Sequence, residues 1–444
     1  MERTTIAEAF QKPNETVLVR GFIDNLRDSK YMTFIVLKDI TGKIQITIEK
    51  EKHPEWEELL ASLTGDSVIS VVGQVNANDY VKLGGVEILP ESIAVDSLAE
   101  ALPIARKAIP ATKKKKEVER SSIDQRIDYR WIDLRTDENQ LMFKVQTVMV
   151  NAMRKFLLDR SFIEIHTPKL IGAASESGAD VFAVDYFDRK AFLAQSPQFY
   201  KQMAMAAGFE RIFETGPVFR AEKSYTNRHT TEFTGFDLEF SYINSVKDVM
   251  KLEEELLTDM LRAVKEAYGE EIKELFGKEV IVPTTPFPVI DLKELYAALE
   301  KEYGYVAPEE EKGDLTTEAE QLSFRYVQEK FGHEFLFVTG YSVDKRPFYH
   351  MRDEHGMPQG YDLIWRGVEI TTGAQREHRY DILKKQAQEK GLDQDVQFYL
   401  EFFKYGCPPH GGFGLGVDRM TMLLLDVSIK EAMFLFRGPN RLTP

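Results

Sequence analysis

Residues 236–242 read Phe-Asp-Leu-Glu-Phe-Ser-Tyr, an alternation of apolar and polar side chains that is typical of a β-strand. Successive side chains of a strand point to opposite faces, so the residues divide into two sets. The apolar set is Phe236, Leu238, Phe240 and Tyr242, and the polar set is Asp237, Glu239 and Ser241. The stretch therefore predicts a sheet with an apolar underside and an acidic upper face. An amphipathic hairpin facing water is the alternative for any single strand.

The segment before this strand carries charged residues suited to a phosphate site. Arg220 and Glu222 point the same way if residues 218–222 are extended, and the loop that follows contains Arg228 and His229. Guanidinium groups bind phosphate oxygens through paired hydrogen bonds. This arrangement favours a phosphate clamp over a hairpin exposed to water.

A glycine-rich stretch lies near the end of the chain, His-Gly-Gly-Phe-Gly-Leu-Gly at residues 410–416. A glycine cluster alone indicates only a turn, but this one runs into an apolar helical pattern at 419–425. A strand without bulky side chains lets a flat purine lie against its backbone. The N-terminus of the following helix would then present Arg419 to the phosphates.

Two acids flank a predicted hairpin. If Arg366-Gly367 forms a two-residue loop, Asp362 and Glu369 fall on the same face of the sheet. Carboxylates are the ligands that Mg²⁺ prefers, so the pair predicts a magnesium site beside the phosphates. Two solvated strand acids are the alternative.

The first hundred residues read as β-structure with one helix near residues 55–63. Strands are predicted at 17–19, 21–23, 33–37, 44–48, 68–72 and 86–89. Short strands with a single helix fit a small closed barrel of the OB type. The predicted fold class is α+β: residues 1–102 form the barrel, 103–135 a hinge or linker, and 136–444 a domain built on an antiparallel sheet flanked by helices. Glutamate- and lysine-rich stretches at 249–277 and 384–392 predict amphipathic helices.

Composition excludes several classes of protein. The 444 residues are 43% hydrophobic and 29% charged, with no apolar run near the ~20 residues that a membrane helix needs. One cysteine, Cys407, excludes an internal disulfide framework and a multi-cysteine zinc site. We expect a cytoplasmic protein with no membrane contact. The net charge of -15 disfavours nucleic-acid binding over the whole chain, although the run Lys113–Lys116 shows that local charge differs; a solvated linker is the alternative for that run.

Residues 219–239 and 411–419 resemble the second and third signature motifs of class II aminoacyl-tRNA synthetases. The resemblance implies ATP and Mg²⁺, with Arg220 and Arg419 as catalytic residues. The implied ATP-binding residues are Arg220, Glu222, Arg228, His229, Phe233, Glu369, Gly416 and Arg419. The implied metal ligands are Asp362, Glu369 and Thr372. Pro168 resembles the proline of the first motif, at the dimer interface, which implies a homodimer.

Residues 175–179, 195–202 and 372–379 resemble the substrate loops of aspartyl-tRNA synthetases. The implied aspartate-binding residues are Glu176, Gln198, Lys201, Asp237, Thr372 and Arg376. Negative Glu176 and Asp237 suit the ammonium group of L-aspartate, and positive Lys201 and Arg376 suit its side chain. A neutral amide would leave buried charge unpaired, which disfavours asparagine. His378 also matches aspartyl rather than asparaginyl relatives.

The interval between the second and third motifs is too short for the domain inserted in typical bacterial aspartyl enzymes, so the resemblance is to the archaeal and eukaryotic type. In the barrel it implies that Arg27, Phe34 and Gln45 read the tRNA anticodon. Phe34 would stack a base and Gln45 would hydrogen-bond one. Phe34 as ordinary barrel core is the alternative.

The sequence thus predicts a ligase that activates L-aspartate with ATP and transfers it to the 3′ end of tRNA-Asp. Whether tRNA-Asn is also charged stays open. The alternatives are an asparaginyl-tRNA synthetase, an asparagine synthetase derived from one of these enzymes, and a non-catalytic tRNA-binding protein. Retention of the barrel disfavours the asparagine synthetase. The charged residues at 220, 222, 369 and 419 disfavour the non-catalytic protein.

Overall fold

The computed structural model describes residues 1–108, 118–172, 181–223 and 229–444. The chain divides into two compact units, Met1–Ser121 and Ser122–Pro444. The lysine run and the predicted site residues Glu176 and Arg228 lie outside the described residues. Within the described part, no helix is long and apolar enough to cross a membrane.

The first unit is a closed five-stranded barrel with strand order β1-β2-β3-β5-β4, which confirms the predicted OB-type fold. Its elements are α1 (Ile6–Ala9), β1 (Thr16–Asp28), β2 (Met32–Lys38), β3 (Lys43–Glu49), α2 (Glu57–Ser62), β4 (Val68–Ala77) and β5 (Val86–Ser97). The two strands predicted at 17–19 and 21–23 are one strand, β1. Gly21 allows this continuity, because a Cβ at that position would lie 2.3 Å from the carbonyl oxygen of Lys38.

The second unit contains the remaining elements. Its helices are α3 (Ile123–Asp128), α4 (Arg130–Asp133), α5 (Asp137–Leu158), α6 (Gln198–Ala206), α7 (Val246–Phe276), α8 (Leu292–Tyr303), α9 (Thr317–Phe331), α10 (Tyr380–Glu389), α11 (Gln397–Glu401), α12 (Val417–Leu425) and α13 (Ile429–Ala432). Its strands are β6 (Ile163–Glu164), β7 (Leu170–Ile171), β8 (Ala183–Tyr186), β9 (Arg189–Leu193), β10 (Arg211–Phe219), β11 (Glu232–Ser241), β12 (Val289–Asp291), β13 (Phe335–Thr339), β14 (Gly360–Trp365), β15 (Val368–Arg376) and β16 (His410–Gly416).

Eight strands form the large sheet, in the order β12-β13-β14-β15-β16-β11-β10-β6. The β12–β13 and β10–β6 pairs are parallel, and the other neighbours are antiparallel. The apolar face of β11 packs with α5, α7 and α12 in one core, which contains Phe236 and Leu238. The predicted apolar underside is therefore confirmed, and the polar face of the same strands is available for a site.

Two details differ from the sequence prediction. Residues 122–135 carry α3 and α4 and belong to the second unit, where Arg130 donates to Asp133 and to the carbonyl oxygens of Glu431 and Met433. A hinge function for residues 103–121 stays a prediction. Tyr242 lies beyond the end of β11 with a left-handed φ of 62° and is 66% exposed, so it does not join the apolar face.

Candidate active site

A row of polar positions crosses the sheet. Through successive pairing, Glu214 of β10, Asp237 of β11, Gly414 of β16, Thr372 of β15 and Asp362 of β14 stand side by side. Directly opposed residues of antiparallel strands share a face. The register therefore brings residues that are far apart in sequence onto one surface.

The central strand β16 must be glycine-rich for the acids beside it to fit. A Cβ at Gly412 would lie 2.5 Å from Oε2 of Glu239, and one at Gly414 would lie 2.4 Å from Oδ1 of Asp237. Both distances are far below van der Waals contact. The glycines therefore leave room for two carboxylates above the strand, and for a ligand to approach its backbone.

This face forms the floor of a cleft with a cavity volume of about 200 Å³. All the residues that were predicted to bind ATP and that lie in the described ranges line this cleft: Arg220, Glu222, His229, Phe233, Glu369, Gly416 and Arg419. The described residues that were predicted to bind aspartate line it as well: Gln198, Lys201, Asp237, Thr372 and Arg376. The structure thus brings both predicted sets together in one cavity. Of the described residues predicted to bind ATP, aspartate or metal in this unit, only Asp362 is outside its lining.

One part of the cleft is lined by the aromatic Phe233 and the cations Arg220 and Arg419. The Arg220 guanidinium lies 5.4 Å from the centre of the Phe233 ring. Gly416 presents only backbone beside that ring, and a Cβ at this position would lie 3.7 Å from it. Arg419 lies in the first turn of α12, and its Nη1 donates to the carbonyl oxygen of Glu369 at 2.6 Å. The arrangement suits a planar base with phosphates between two arginines.

At another part of the cleft, four buried charged groups form a network. Nζ of Lys201 lies 3.0 Å from Oδ1 of Asp237 and 3.5 Å from Oε2 of Glu239. Nε of Arg376 donates to Oε1 of Glu239 at 3.0 Å. Burial raises the pKa of Glu239, but Arg376 and Lys201 more than offset this and hold the pKa below its usual value. Glu239 is therefore an anion that links both cations.

Two residues near Arg376 were not among the predicted site residues. One is Glu239, and the other is His350, which lines the cleft. Burial, with the nearby charges of Arg376 and Arg346, lowers the pKa of His350 well below its usual value. Its Nε2 lies 3.3 Å from Nη1 of Arg376, so the neutral ring accepts a hydrogen bond there. The polar parity of β11 indicated Glu239 in the sequence. His350 lies in a loop, where no periodic pattern indicated it.

The two acids of the hairpin lie close together, as predicted. Arg366 and Gly367 form its two-residue loop with φ of 49° and 77°, and the Thr372 hydroxyl lies 2.9 Å from Oδ1 of Asp362 and 3.1 Å from Oε1 of Glu369. Burial and the Asp362 charge raise the pKa of Glu369. One hydroxyl proton cannot serve both carboxylates at once, so one of them can accept from a further donor or bind a cation.

Asp362 is the more enclosed of the two acids, because the guanidinium of Arg346 binds its carboxylate in a fork. Within the described ranges, no group of three or more His, Cys, Asp or Glu side chains is placed to hold a metal ion. Glu369 and Thr372 reach the cleft, while Asp362 lies behind them. The residues fit a divalent cation that completes its shell with ligand oxygens and water, as Mg²⁺ does.

On the barrel, the three predicted anticodon residues share an outer surface. Arg27 pairs with Phe34 across β1 and β2, and its guanidinium lies 5.4 Å from the ring centre. Gln45 donates to Thr47, whose hydroxyl contacts Glu87. Phe34 is half-buried, whereas its neighbours Ile35 and Leu37 fill the core. The core alternative for Phe34 is therefore wrong.

Comparison with known proteins gives a consistent result. A family model described as "tRNA synthetases class II (D, K and N)" matches residues 122–437, and one described as "OB-fold nucleic acid binding domain" matches residues 17–96. The aspartate–tRNA(Asp/Asn) ligase of Methanopyrus kandleri is 43% identical over 98% of this chain and 97% of that protein. The aspartate–tRNA(Asp) ligase of Pyrococcus abyssi is 41% identical over 96% of each.

Two solved structures superpose along the whole chain. Asparaginyl-tRNA synthetase from Pyrococcus horikoshii, complexed with asparaginyl-adenylate, gives a TM-score of 0.89 at 31% identity, covering 100% of both chains. Aspartyl-tRNA synthetase from Entamoeba histolytica gives 0.87 at 31% identity, covering 100% of this chain and 93% of the other. Because the synthetase family model matches residues 122–437 and these relatives align over nearly the full length, the chain belongs to the class II aminoacyl-tRNA synthetases.

Proposed function

We propose that this protein is an aspartate–tRNA ligase, which activates L-aspartate with ATP and transfers it to the 3′ end of tRNA-Asp. The observation that carries the proposal is the single cleft joining Arg220 and Arg419 to the Lys201–Arg376 pair. Relatives about 40% identical over nearly the full length are aspartate–tRNA ligases, which supports it.

Activation requires an oxygen of the aspartate α-carboxylate to bond to the α-phosphorus as the bond to diphosphate breaks. Negative charge accumulates on the phosphate oxygens in that step. Arg220 and Arg419, which line the cleft, would stabilise this charge, and Phe233 would stack on the adenine. Positioning and electrostatics then provide most of the acceleration, so no side-chain nucleophile is required.

Charge selects the amino acid. Lys201 and Arg376 balance Asp237 and Glu239, so the formal sum of these four charges is zero. Aspartate supplies an ammonium group for Asp237 and a side-chain carboxylate for the two cations. The amide nitrogen of asparagine is a donor, and so are Lys201 and Arg376; opposed donors leave hydrogen bonds unmade. We therefore assign aspartate as the preferred substrate.

Glu369 and Thr372, with Asp362 behind them, would hold Mg²⁺. The ion, when bound, neutralises charge on the triphosphate and the diphosphate product. Arg346 holds the Asp362 carboxylate in a fork, and the pKa of Glu369 is raised by burial and by the Asp362 charge, whose repulsion a cation would relieve. The outer barrel surface at Arg27, Phe34 and Gln45 is proposed to bind the anticodon. We also propose a cytoplasmic homodimer.

The test is ATP–pyrophosphate exchange with purified protein, followed by charging of purified tRNA-Asp and tRNA-Asn. We expect exchange that depends on Mg²⁺ and on aspartate, with asparagine at least about 100-fold poorer, because its amide nitrogen would face the donors of Lys201 and Arg376 and leave hydrogen bonds unmade. Charging of tRNA-Asp is expected, and the tRNA-Asn arm decides whether the enzyme is specific for one tRNA. Preference for asparagine would identify an asparaginyl enzyme, as in one solved neighbour. Aspartate amidation without tRNA charging would identify an asparagine synthetase.

A further inference from the structure

A buried chain of hydrogen bonds leads away from the amino-acid end of the cleft. It runs from the carbonyl oxygen of Pro408 through His410, Gln202 and Gln198 to Arg376. The His410 and Gln202 side chains are fully buried, and Gln198 is 5% exposed. Of the four side chains only Gln198 and Arg376 line the cleft.

The chain has a fixed direction, which begins at an atom that can only accept. Nδ1 of His410 lies 2.8 Å from the Pro408 carbonyl oxygen, so Nδ1 carries a proton. Burial lowers the pKa of His410 to about 4, and the ring is therefore neutral at physiological pH. A neutral imidazole with its proton on Nδ1 has an acceptor at Nε2. The amide nitrogen of Gln202 donates to it at 2.9 Å.

The orientation of Gln202 then determines that of Gln198. With its nitrogen on His410, Gln202 presents Oε1 to two donors: the Tyr399 hydroxyl at 2.9 Å and Nε2 of Gln198 at 3.0 Å. Gln198 must consequently turn its own oxygen the other way. That oxygen lies 3.3 Å from Nη2 of Arg376. Reversal of the Gln198 amide would place a nitrogen donor against the guanidinium, and reversal of Gln202 would place its nitrogen against the donors of Gln198 and Tyr399.

We propose that His410 and Gln202 are positioning residues for aspartate selection, because they fix Gln198 as an acceptor towards Arg376. The inference rests on the proposed function. Glu239 holds Arg376 through Nε, and Gln198 and the Gly412 carbonyl oxygen hold it through Nη2. Nη1 also donates to Nε2 of His350, so one Nη1 N–H of an Arg376 held in this way remains for the substrate side chain. Neither His410 nor Gln202 contacts the substrate.

The decisive variants are Gln202→Leu and Gln202→Glu. Leucine removes both hydrogen bonds and frees the Gln198 amide to rotate. Glutamate, protonated at this buried position by a proton taken from solvent, keeps a carbonyl acceptor towards Gln198 and Tyr399 and donates its O–H to Nε2 of His410. A lost hydrogen bond of this kind changes binding by about tenfold. We expect Gln202→Leu to raise KM for aspartate about tenfold and to lower the preference over asparagine, with KM for ATP unchanged. Gln202→Glu should stay within about threefold of wild type.

Tyr399→Phe is the matched control, because it removes a donor to Gln202 without changing the direction of the chain; it should stay within about threefold. Equal damage from Gln202→Leu and Gln202→Glu, or a proportional rise in KM for ATP, would mean simple packing and overturn the proposal. So would a Gln202→Leu enzyme with wild-type KM for aspartate. If Gln202→Leu does not fold, His410→Leu and His410→Gln pose the same contrast, since glutamine retains an acceptor near Nε2.

Aspartate affinity is measured in parallel by calorimetry. This measurement distinguishes a failure of the proposed function from a failure of the positioning role of Gln202 and His410. A wild-type protein that binds aspartate without exchange activity contradicts the proposed function, and the Kd ratios between variants still decide the positioning role. A wild-type protein that neither binds nor activates aspartate removes both proposals.

Discussion

Lys201→Met tests whether buried charge selects the substrate. Lys201 is 1% exposed, and its ammonium lies within 3.5 Å of carboxylate oxygens from both Asp237 and Glu239. Removal of the cation leaves the four-group network with a formal charge of -1. Loss of one partner from a buried ion pair costs about 3–5 kcal/mol of unfolding free energy. Methionine has a similar length, so the loss is electrostatic rather than a cavity.

The effect on aspartate follows from the same geometry. The variant loses a charged hydrogen bond to the substrate carboxylate, worth about 1.5–3 kcal/mol, or about 10- to 150-fold in KM. Asparagine, which lacks that charge, should lose much less, so the preference for aspartate should fall. The assay is ATP–pyrophosphate exchange at varied aspartate and asparagine. Lys155→Met, at an exposed lysine paired with Asp159, is the control and should change neither. Parallel losses for both amino acids would refute charge selection.

Three further variants test other parts of the structure. The pKa of Glu253 is raised by burial to about 8, so the folded state keeps a proton that the unfolded state loses above pH ~4.5. Stability should therefore fall as pH rises towards 8, and Glu253→Gln should remove most of that loss in melting curves at pH 5 and pH 8. Gly414→Ala places a Cβ 2.4 Å from Asp237 and should lower aspartate activation at least about tenfold, whereas Gly65→Ala, with open space around it, should be neutral; equal activity in the two would contradict the packing argument. Glu369→Gln should raise the Mg²⁺ concentration for half-maximal exchange about tenfold or more, and an unchanged Mg²⁺ titration would remove Glu369 from the metal site.

Much of the site was predictable because strand parity is a strong signal. The alternation in 236–242 indicated the acidic face, and the Arg366-Gly367 loop indicated that Asp362 and Glu369 lie together. Glu239 lies on the same face of β11 as Asp237. Asp237 lines the cleft, whereas Glu239 is fully buried and contacts Arg376 and Lys201. Parity alone cannot separate a substrate ligand from a residue that holds two cations in place.

Other features depend on contacts between distant segments. His410 and Gln202 are 208 residues apart, and their hydrogen bond follows from the packing of α6 against β10 and β11, since β11 pairs with β16 in the sheet. Arg346 comes from an irregular loop, which carries no periodic signal. Helix α3 was missed because the nearby prolines and lysines indicated a linker. Its capping box, Ser122 with Gln125, was a local signal for a helix start.

The central claim is that ATP is bound and activated between Arg220 and Arg419. The most direct measurement is aspartate-dependent ATP–pyrophosphate exchange by Arg220→Ala beside the wild-type protein, with folding checked by melting temperature. We predict an unchanged fold and a loss of exchange of about 100-fold or more, the scale of one preorganised charge-stabilising group. Near-normal exchange by a folded Arg220→Ala protein would contradict the account.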